Sequence, residues 1–447
     1  MKKLTDVALT PSFDADNAVA RRLEEWVVAH EQDLYDFLCE LLSYDTTNYQ
    51  TYGLEKVGQE FLAKSLEDLG YVVDIYAPDD VPGLTEHEEF LPGRGSADRP
   101  NLTAYHKDVD PHSSVAREQG LLLAAHMDVM PAGDESAWIY PPFAGTIADG
   151  RIYGCGSGDD KCGLATAYMI MRGIAELGLK AEIPLLFTSY SDEEYGGGNG
   201  ALASCLKYPT RSIINLDGGN TEISVVALGG GLFALDFEAE TIAGDNNKTA
   251  EMLCIVRAAF AKLGEQAVER LAQNKWYKGT DIVDAAYRLF TMSCGAGSLG
   301  ANQGRGRLNW SFYTDWSEEE LFARMNAVYE REIVPALRRL GFKSKGIYKT
   351  TRYFHYNGGV EDNTDIDLFS DCFALVTGKH PKRSGAYLSD LNIFMKCGSP
   401  LSFNYGLSRD FNLPGGAHQP NEYIECKEFL DLTRALAHFV ARYCKLS

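Results

Sequence analysis

The chain has 447 residues, with 42 Lys plus Arg against 63 Asp plus Glu and a formal net charge of −21. Hydrophobic residues make up 45% and charged residues 23%, which is typical of a globular protein and excludes a disordered or collagen-like chain. The acidity argues against nucleic acid or an anionic membrane as a partner. At about 150 residues per domain, the length predicts two or three domains.

Targeting signals and cysteine usage indicate the compartment. No apolar stretch approaches the roughly 18 residues of a membrane helix. Two lysines near the N-terminus have no apolar run behind them, so we expect no secretory signal and a cytoplasmic protein. The ten cysteines are scattered without a tight CxxC pair, which predicts reduced thiols rather than a zinc finger or a disulfide framework.

Hydrophobic periodicity predicts an α/β pattern in the first half of the chain. Short, fully apolar runs are typical of buried parallel strands, and their alternation with helices predicts a sheet with covered faces. Residues 77–100 are rich in Pro, Gly, Asp and Glu and are expected to form a loop. The predicted elements are a helix at 17–43, a helix at 54–69, strands at 72–76 and 121–125, a helix at 163–177, and strands at 183–190 and 212–216.

The pattern changes at about residue 224. Ser317 and Glu320 form a capping box for one helix, and Pro335 is expected to kink or restart it. We therefore predict an inserted α+β domain over 224–345, between the two parts of a catalytic domain at 1–223 and 346–447. The remaining predicted elements are a strand at 232–239, a helix at 249–263, a strand at 308–313, a helix from 317, a helix at 366–376, a strand at 402–405 and a helix at 422–444.

Five segments carry acidic or histidine side chains, and those at 126–128, 191–198 and 217–219 directly follow predicted strands, where α/β sheets place their sites. Each alone has an ordinary explanation: a loop histidine, a helix-capping turn, or an acidic solvated loop. A phosphate loop is disfavoured because the GxxxxGK[ST] order is absent. Together, carboxylates with two histidines suit a pair of zinc-like ions sharing a bridging carboxylate. The segments are HMD at 126–128, GCGSGDDKCG at 154–163, SDEEYGGG at 191–198, DGG at 217–219 and GGAHQPNE at 415–422.

This order of motifs resembles the dinuclear-zinc amidohydrolase and peptidase family of acetylornithine deacetylase, succinyl-diaminopimelate desuccinylase, aminoacylase-1, glutamate carboxypeptidase and carnosinase-like dipeptidases. The resemblance covers nearly the whole chain, starting at residues 41–48 and including 99–102, 138–143 and 150–154. It implies a zinc-peptidase-like α/β catalytic domain with a central mixed, largely parallel sheet covered by helices. It also implies an inserted α+β lid or dimerisation domain, through which a homodimer is a candidate assembly.

The resemblance also implies a role for each matching residue. His126 and Asp217 would hold one divalent ion, Glu194 and His418 the other, and Asp159 would bridge them. The expected ions are zinc, with cobalt or manganese as alternatives.

The remaining implied roles concern catalysis. Asp128 would orient His126, and Glu193 would act as general base and acid. The peptide bond from Asp159 to Asp160 is a candidate cis bond. The implied reaction is hydrolysis of the amide bond of a small N-acyl amino acid, of the deacetylase or desuccinylase type. A dipeptidase or carboxypeptidase activity stays open, as does a non-catalytic metal-binding protein, which the intact Glu193 disfavours.

The chain departs from the family pattern in three places. Relatives carry a lid histidine where this chain reads GDNNKTA at 244–250, so Asn246 is a candidate substitute donor, with His355 as an alternative. The loop at 384–392 lacks the usual Gly-Gly-Thr. Cys155 stands where relatives usually have Arg, Cys162 interrupts the usual Asp-Lys-Gly run, and both are expected to be packed thiols. The candidate substrate-binding residues are Asn246, Arg307, Ser384, Gly385, Ser389 and Asp390.

Overall fold

A computed structural model describes residues 13–240, 246–295, 304–360 and 362–447. The chain divides into two compact units. The first comprises Met1–Val225, Gly359–Ala386 and Ile393–Ser447, and the second comprises Val226–Gly358 and Tyr387–Asn392.

The first part of the first unit alternates helices and strands. Its elements are α1 (Ala18–Ala29), α2 (Glu31–Ser43), α3 (Lys56–Asp68), β1 (Tyr71–Tyr76), β2 (Asn101–His106), α4 (Ser114–Gln119), β3 (Leu121–His126), β4 (Thr146–Ala148), β5 (Arg151–Tyr153), α5 (Cys162–Glu176), β6 (Leu185–Tyr190), α6 (Asn199–Lys207), β7 (Ser212–Asn215) and β8 (Ile223–Ala227).

The second unit is an α+β body. Its elements are β9 (Gly229–Ala239), α7 (Asn246–Leu271), β10 (Tyr287–Gly295), β11 (Arg305–Thr314), α8 (Glu318–Val328), α9 (Val334–Leu340) and β12 (Phe342–Lys349). The chain then continues with α10 (Thr364–Thr377), β13 (Arg383–Ala386), α11 (Leu391–Ile393), β14 (Phe403–Asn404), β15 (Tyr423–Glu425) and α12 (Cys426–Tyr443).

An eight-stranded sheet in the order β1-β2-β6-β3-β7-β14-β8-β13 organises the first unit. The neighbouring pairs β6/β3, β3/β7 and β7/β14 are parallel, whereas β1/β2, β2/β6 and β14/β8 are antiparallel. The fold is therefore the predicted α/β class, with a mixed sheet that is parallel at its centre. This arrangement brings the carboxyl ends of β6, β3 and β7 to one edge of the sheet.

The position of helix α5 in the fold explains why its sequence is apolar on nearly every side. It packs on the sheet and against α1, α2 and α12, and most of its residues are buried. Its small residues permit close packing, because a Cβ at Gly173 would come 2.7 Å from a methyl carbon of Leu23. At the start of the helix, a Cβ at Gly163 would come 2.6 Å from the carboxylate of Asp160.

The second unit contains a four-stranded sheet in the order β10-β11-β9-β12. The expected boundary after residue 345 falls inside β12, which pairs antiparallel with β9, so the second unit continues to Gly358. Pro335 stands in the first turn of α9, where its missing N–H is tolerated. A π-helical turn at Tyr329–Ile333 joins α9 to α8, so the regular α-helix is interrupted before Pro335 and restarts there. A homodimer through this unit stays a prediction.

Two further differences concern helices. The predicted helix at 17–43 is two helices, because His30 leaves helical geometry at φ −111° and its backbone N–H closes the end of α1. Helix α12 begins at Cys426, because the preceding residues pair as β15 with β5. Among the described residues, no helix combines the length and apolarity needed to cross a membrane.

Candidate metal and catalytic site

The predicted ligands converge at the carboxyl edge of the eight-stranded sheet. His126 is the last residue of β3, and Glu194 follows β6 within a short turn. Asp217 lies two residues beyond β7. Because these strands are adjacent and parallel, the side chains that follow them share one edge of the sheet.

Two groups of side chains there have the geometry of metal ligands, and Asp159 belongs to both. Within each group the candidate ligand atoms lie within 4.8 Å of one another. One Asp159 oxygen lies 2.8 Å from His126 Nε2, and the other lies 3.2 Å from His418 Nε2. His418 Nε2 also lies 3.1 Å from a carboxylate oxygen of Glu194. The groups are His126, Asp159 and Asp217, and Asp159, Glu194 and His418.

The loop before α5 presents Asp159 by an unusual backbone path. The Asp159–Asp160 peptide bond is cis, as predicted. The buried carboxylate of Glu422 accepts three backbone N–H groups of this loop, from Gly156 at 3.0 Å, Gly158 at 2.8 Å and Asp159 at 3.2 Å. Burial raises the pKa of Glu422 to about 7.

Asp128 contacts His126, the residue that it was predicted to orient. The backbone carbonyl of Asp128 accepts the hydrogen bond from His126 Nδ1 at 2.8 Å, whereas its carboxylate lies 3.6 Å away. An acceptor at Nδ1 fixes the tautomer and leaves the Nε2 lone pair for a metal. The carboxylate instead accepts the backbone N–H groups of Glu193 at 3.1 Å and Glu194 at 3.0 Å.

Glu193, the predicted base, stands at the start of the turn after β6. Its side chain is half-buried and belongs to neither ligand group. The adjacent cleft is lined by Val129, Trp138 and Cys155, together with the three residues of the second ligand group. Cys155 donates to the Met130 carbonyl, and burial raises its thiol pKa, so it is a packed thiol as predicted.

The electrostatics of the site fit divalent metal ions. Burial acts to lower the pKa of His418, but the carboxylates of Glu194 and Asp159 outweigh it and raise that pKa to about 12. Burial raises the pKa of Glu194. A positive charge beside these carboxylates would therefore stabilise their ionised form. Imidazole and carboxylate are ordinary zinc ligands, so bound ions would supply that charge in place of protons.

The candidate substrate residues stay a prediction, and the described ones lie on separate elements. Arg307, on β11 of the second unit, pairs with Asp236. Ser384 and Gly385 lie on β13, the outermost strand of the large sheet. Two more are buried in the second unit, and the Asn246 side chain lies outside the described residues, as does the segment just before it. The buried pair is Ser389 and Asp390.

Sequence reasoning missed three residues whose hydrogen bonds support the backbone and side chains of the site. Glu422 lies inside the segment GGAHQPNE at 415–422 that was singled out, so its position carried a signal. Asn48 donates to the Asp128 carboxylate at 2.8 Å. Arg94 donates to the Glu194 carbonyl at 2.7 Å, from a loop whose composition gave no signal.

Known proteins resemble this chain in sequence and in fold. A stretch of 121 residues is 36% identical to succinyl-diaminopimelate desuccinylase of Rhodopseudomonas palustris strain TIE-1, covering 27% of this chain and 29% of the relative. Human carnosine dipeptidase 1 superposes with a TM-score of 0.69 at 13% identity, over 95% of this chain and 100% of that chain. The dipeptidase Dug1p of Saccharomyces cerevisiae superposes with a TM-score of 0.70 at 14% identity, over 95% and 98%.

The aligned desuccinylase stretch is thus less than a third of that relative, and the two solved structures share the fold alone. A sequence profile covers far more of the chain. The profile of peptidase family M20/M25/M40 matches residues 122–442, which contain every member of both ligand groups. The chain belongs to peptidase family M20/M25/M40.

Proposed function

We propose that the protein hydrolyses the amide bond of a small N-acyl amino acid, using two divalent ions, with Glu193 as general base. The observation that carries this proposal is the double use of Asp159, one of whose oxygens contacts His126 and the other His418. Two ligand groups that share one carboxylate are the arrangement that a two-metal hydrolase needs.

Each group of side chains has a task in this reaction. His126, Asp159 and Asp217 would hold one ion, and Asp159, Glu194 and His418 the other. When bound, such ions lower the pKa of water and polarise a carbonyl. Glu193 would accept the proton of the attacking water and later donate it to the departing nitrogen. Buried residues of the cleft, such as Val129 and Cys155, would strengthen these interactions by lowering the local dielectric constant.

A dipeptide substrate is the second candidate. The desuccinylase similarity supports an N-acyl amino acid, but it covers only 27% of this chain. The superposition on two dipeptidases covers 95% of this chain, at identities that establish only the fold. Both substrates present an amide next to a carboxylate, so the same residues serve either reaction.

A hydrolysis panel tests the proposal and separates the two candidates. N-acetyl amino acids, N-succinyl amino acids and dipeptides would be offered to protein loaded with zinc, cobalt or manganese. We expect turnover of at least one class, its loss after exhaustive chelation, and its return on adding metal. Equal activity before and after chelation, with no metal in the protein, would refute the proposal. Metal-loaded protein that turns over nothing would favour the non-catalytic alternative.

A further inference from the structure

The backbone of the segment that carries Glu193 and Glu194 is hydrogen-bonded by side chains at both its N–H groups and a carbonyl. The Asp128 carboxylate accepts the N–H groups of these two residues at 3.1 and 3.0 Å. From the other direction, Arg94 Nη2 donates to the Glu194 carbonyl at 2.7 Å. An anionic side chain therefore binds the N–H groups of this short segment, and a cationic side chain binds one of its carbonyls.

Arg94 is part of a larger cluster of buried charges, which we name the buried ion network. Arg94 Nε and Arg99 Nη2 lie 2.8 and 2.9 Å from the same oxygen of Asp192, the residue before Glu193. Arg99 Nε donates to Glu55 at 2.7 Å. All of its members are at most 7% exposed. The members are Glu55, Arg94, Arg99 and Asp192.

Stability alone explains such a cluster poorly. Removing charges from water is unfavourable, and apolar side chains of similar volume often replace a buried ion pair without loss of stability. The network does provide geometry. Asp192 has a φ of +65°, which is unusual for a residue with a side chain, and two arginines fix its carboxylate.

The glycines that follow the two glutamates complete the turn. A Cβ at Gly197 would lie 1.9 Å from the backbone carbonyl of Asp192, so only glycine permits this close approach. A Cβ at Gly200 would lie 2.0 Å from the carbonyl of Ser191. The turn thus packs tightly against Asp192, the residue that both arginines contact. Within the motif at 191–198, Gly197 therefore has a steric explanation.

We propose that the buried ion network positions the backbone of Glu193 and Glu194, with Arg94 as its positioning residue. The inference rests on the proposed function, because it assigns a purpose to the placement of the predicted base and ligand. Arginine suits the task, because its planar guanidinium bonds Asp192 and the Glu194 carbonyl at the same time. Lysine offers a single nitrogen and would satisfy these two partners less well.

Hydrogen exchange on the metal-free protein tests the positioning without any reference to activity. We expect Arg94→Met to speed amide exchange in the segment 191–198 by at least about tenfold, because local opening there becomes easier. The matched control is Arg434→Met. Arg434 also pairs with a carboxylate, Glu24, but on α12 and away from this turn. The control should leave exchange in 191–198 unchanged.

Kinetics of the metal-loaded protein give a second readout. For Arg94→Met we expect kcat to fall by at least about tenfold with KM within about threefold, since a displaced base affects the transition state more than substrate binding. Arg94→Lys should recover part of kcat and part of the exchange protection. Arg99→Met, which removes the second arginine on Asp192 but no contact to Glu194, should have a smaller effect than Arg94→Met.

Three outcomes would overturn the inference. The first is a folded Arg94→Met protein with wild-type exchange in 191–198. The second is equal acceleration in the Arg94 and Arg434 variants, which would indicate general destabilisation. The third is Arg94→Lys behaving like wild type, which is also decisive if Arg94→Met fails to fold. Should the hydrolysis panel fail while exchange responds as expected, the proposed function falls and the positioning stands.

Discussion

At the scale of single residues, the proposed function assigns metal binding and proton transfer to different side chains. The side chains of both ligand groups converge on Asp159, whereas the Glu193 side chain belongs to neither group. The Glu193 backbone N–H donates to the Asp128 carboxylate. A half-buried carboxylate beside a candidate metal ligand suits proton exchange with bound water.

Glu193→Gln tests this separation. The amide cannot take a proton from water, so we expect kcat to fall by about 10²–10⁴ while metal content stays at the wild-type level. Steady-state kinetics and elemental analysis of the same sample measure the two quantities. Glu60→Gln, on the exposed face of α3, is the control and should change neither. A fully active, metal-loaded Glu193→Gln protein would remove Glu193 from its proposed role.

The sequence predicted the residues of this site unevenly, for a physical reason. The groups at His126, Asp159 and Glu194 were recognisable because each follows a strand or precedes a helix in a short acidic motif. Arg94 and Asn48 were not, because their contacts join residues about 100 and 80 positions apart along the chain. Such contacts leave no local spacing or composition to detect.

At the scale of elements, long apolar runs were the most informative. Strands β3, β6 and β7 were predicted within about two residues, because each is buried on both faces. Strand β10 was not predicted, since the half-exposed apolar residues Phe290 and Met292 obscure the alternation of buried apolar and exposed polar residues that marks a strand. The break at His30 was missed because the apolar spacing continues on both sides of it.

Helices α1 and α12 are joined by a cluster whose charge should make stability depend on pH. Glu24 accepts from Arg434 at 2.6 Å and lies 2.7 Å from His438 Nε2. Burial acts to raise the pKa of Glu24, but His438 and Arg434 outweigh it, so that pKa is lowered. A lowered carboxylate pKa stabilises the fold above the unfolded value of about 4.3, and this contribution disappears as the pH falls through the folded value.

We therefore expect Glu24→Gln to lower the free energy of unfolding by about 2 kcal/mol at pH 7, the size of a hydrogen bond to a charged group. The difference from wild type should shrink steadily below about pH 4.3. Urea unfolding at several pH values measures it, and kcat at pH 7 should not change. A difference that is constant from pH 7 to pH 3.5 would show that the Glu24 charge is not responsible.

At the scale of the whole molecule, the candidate metal ligands belong to one unit, which is built from separate segments of the chain. Every member of the two ligand groups lies in the first unit, on segments from before and after the inserted second unit. The insertion was predictable because the α/β pattern stops and later resumes. Its second boundary was misplaced because β12 completes a sheet with β9, a pairing that local sequence does not reveal.

Metal should consequently stabilise the first unit selectively. Ligand at about 1,000 times its Kd adds about 4 kcal/mol to the unit that binds it. We expect calorimetry to show a higher Tm with zinc than with chelator, and native mass spectrometry to count two ions per chain.

The gain in Tm should persist in Glu193→Gln and diminish in His418→Ala, which loses a candidate ligand of the second group. In hydrogen exchange, protection should increase around 126–128, 157–161 and 415–422 and not within β9–β12. Equal protection throughout both units, or no shift in Tm, would contradict this assignment of the ligands.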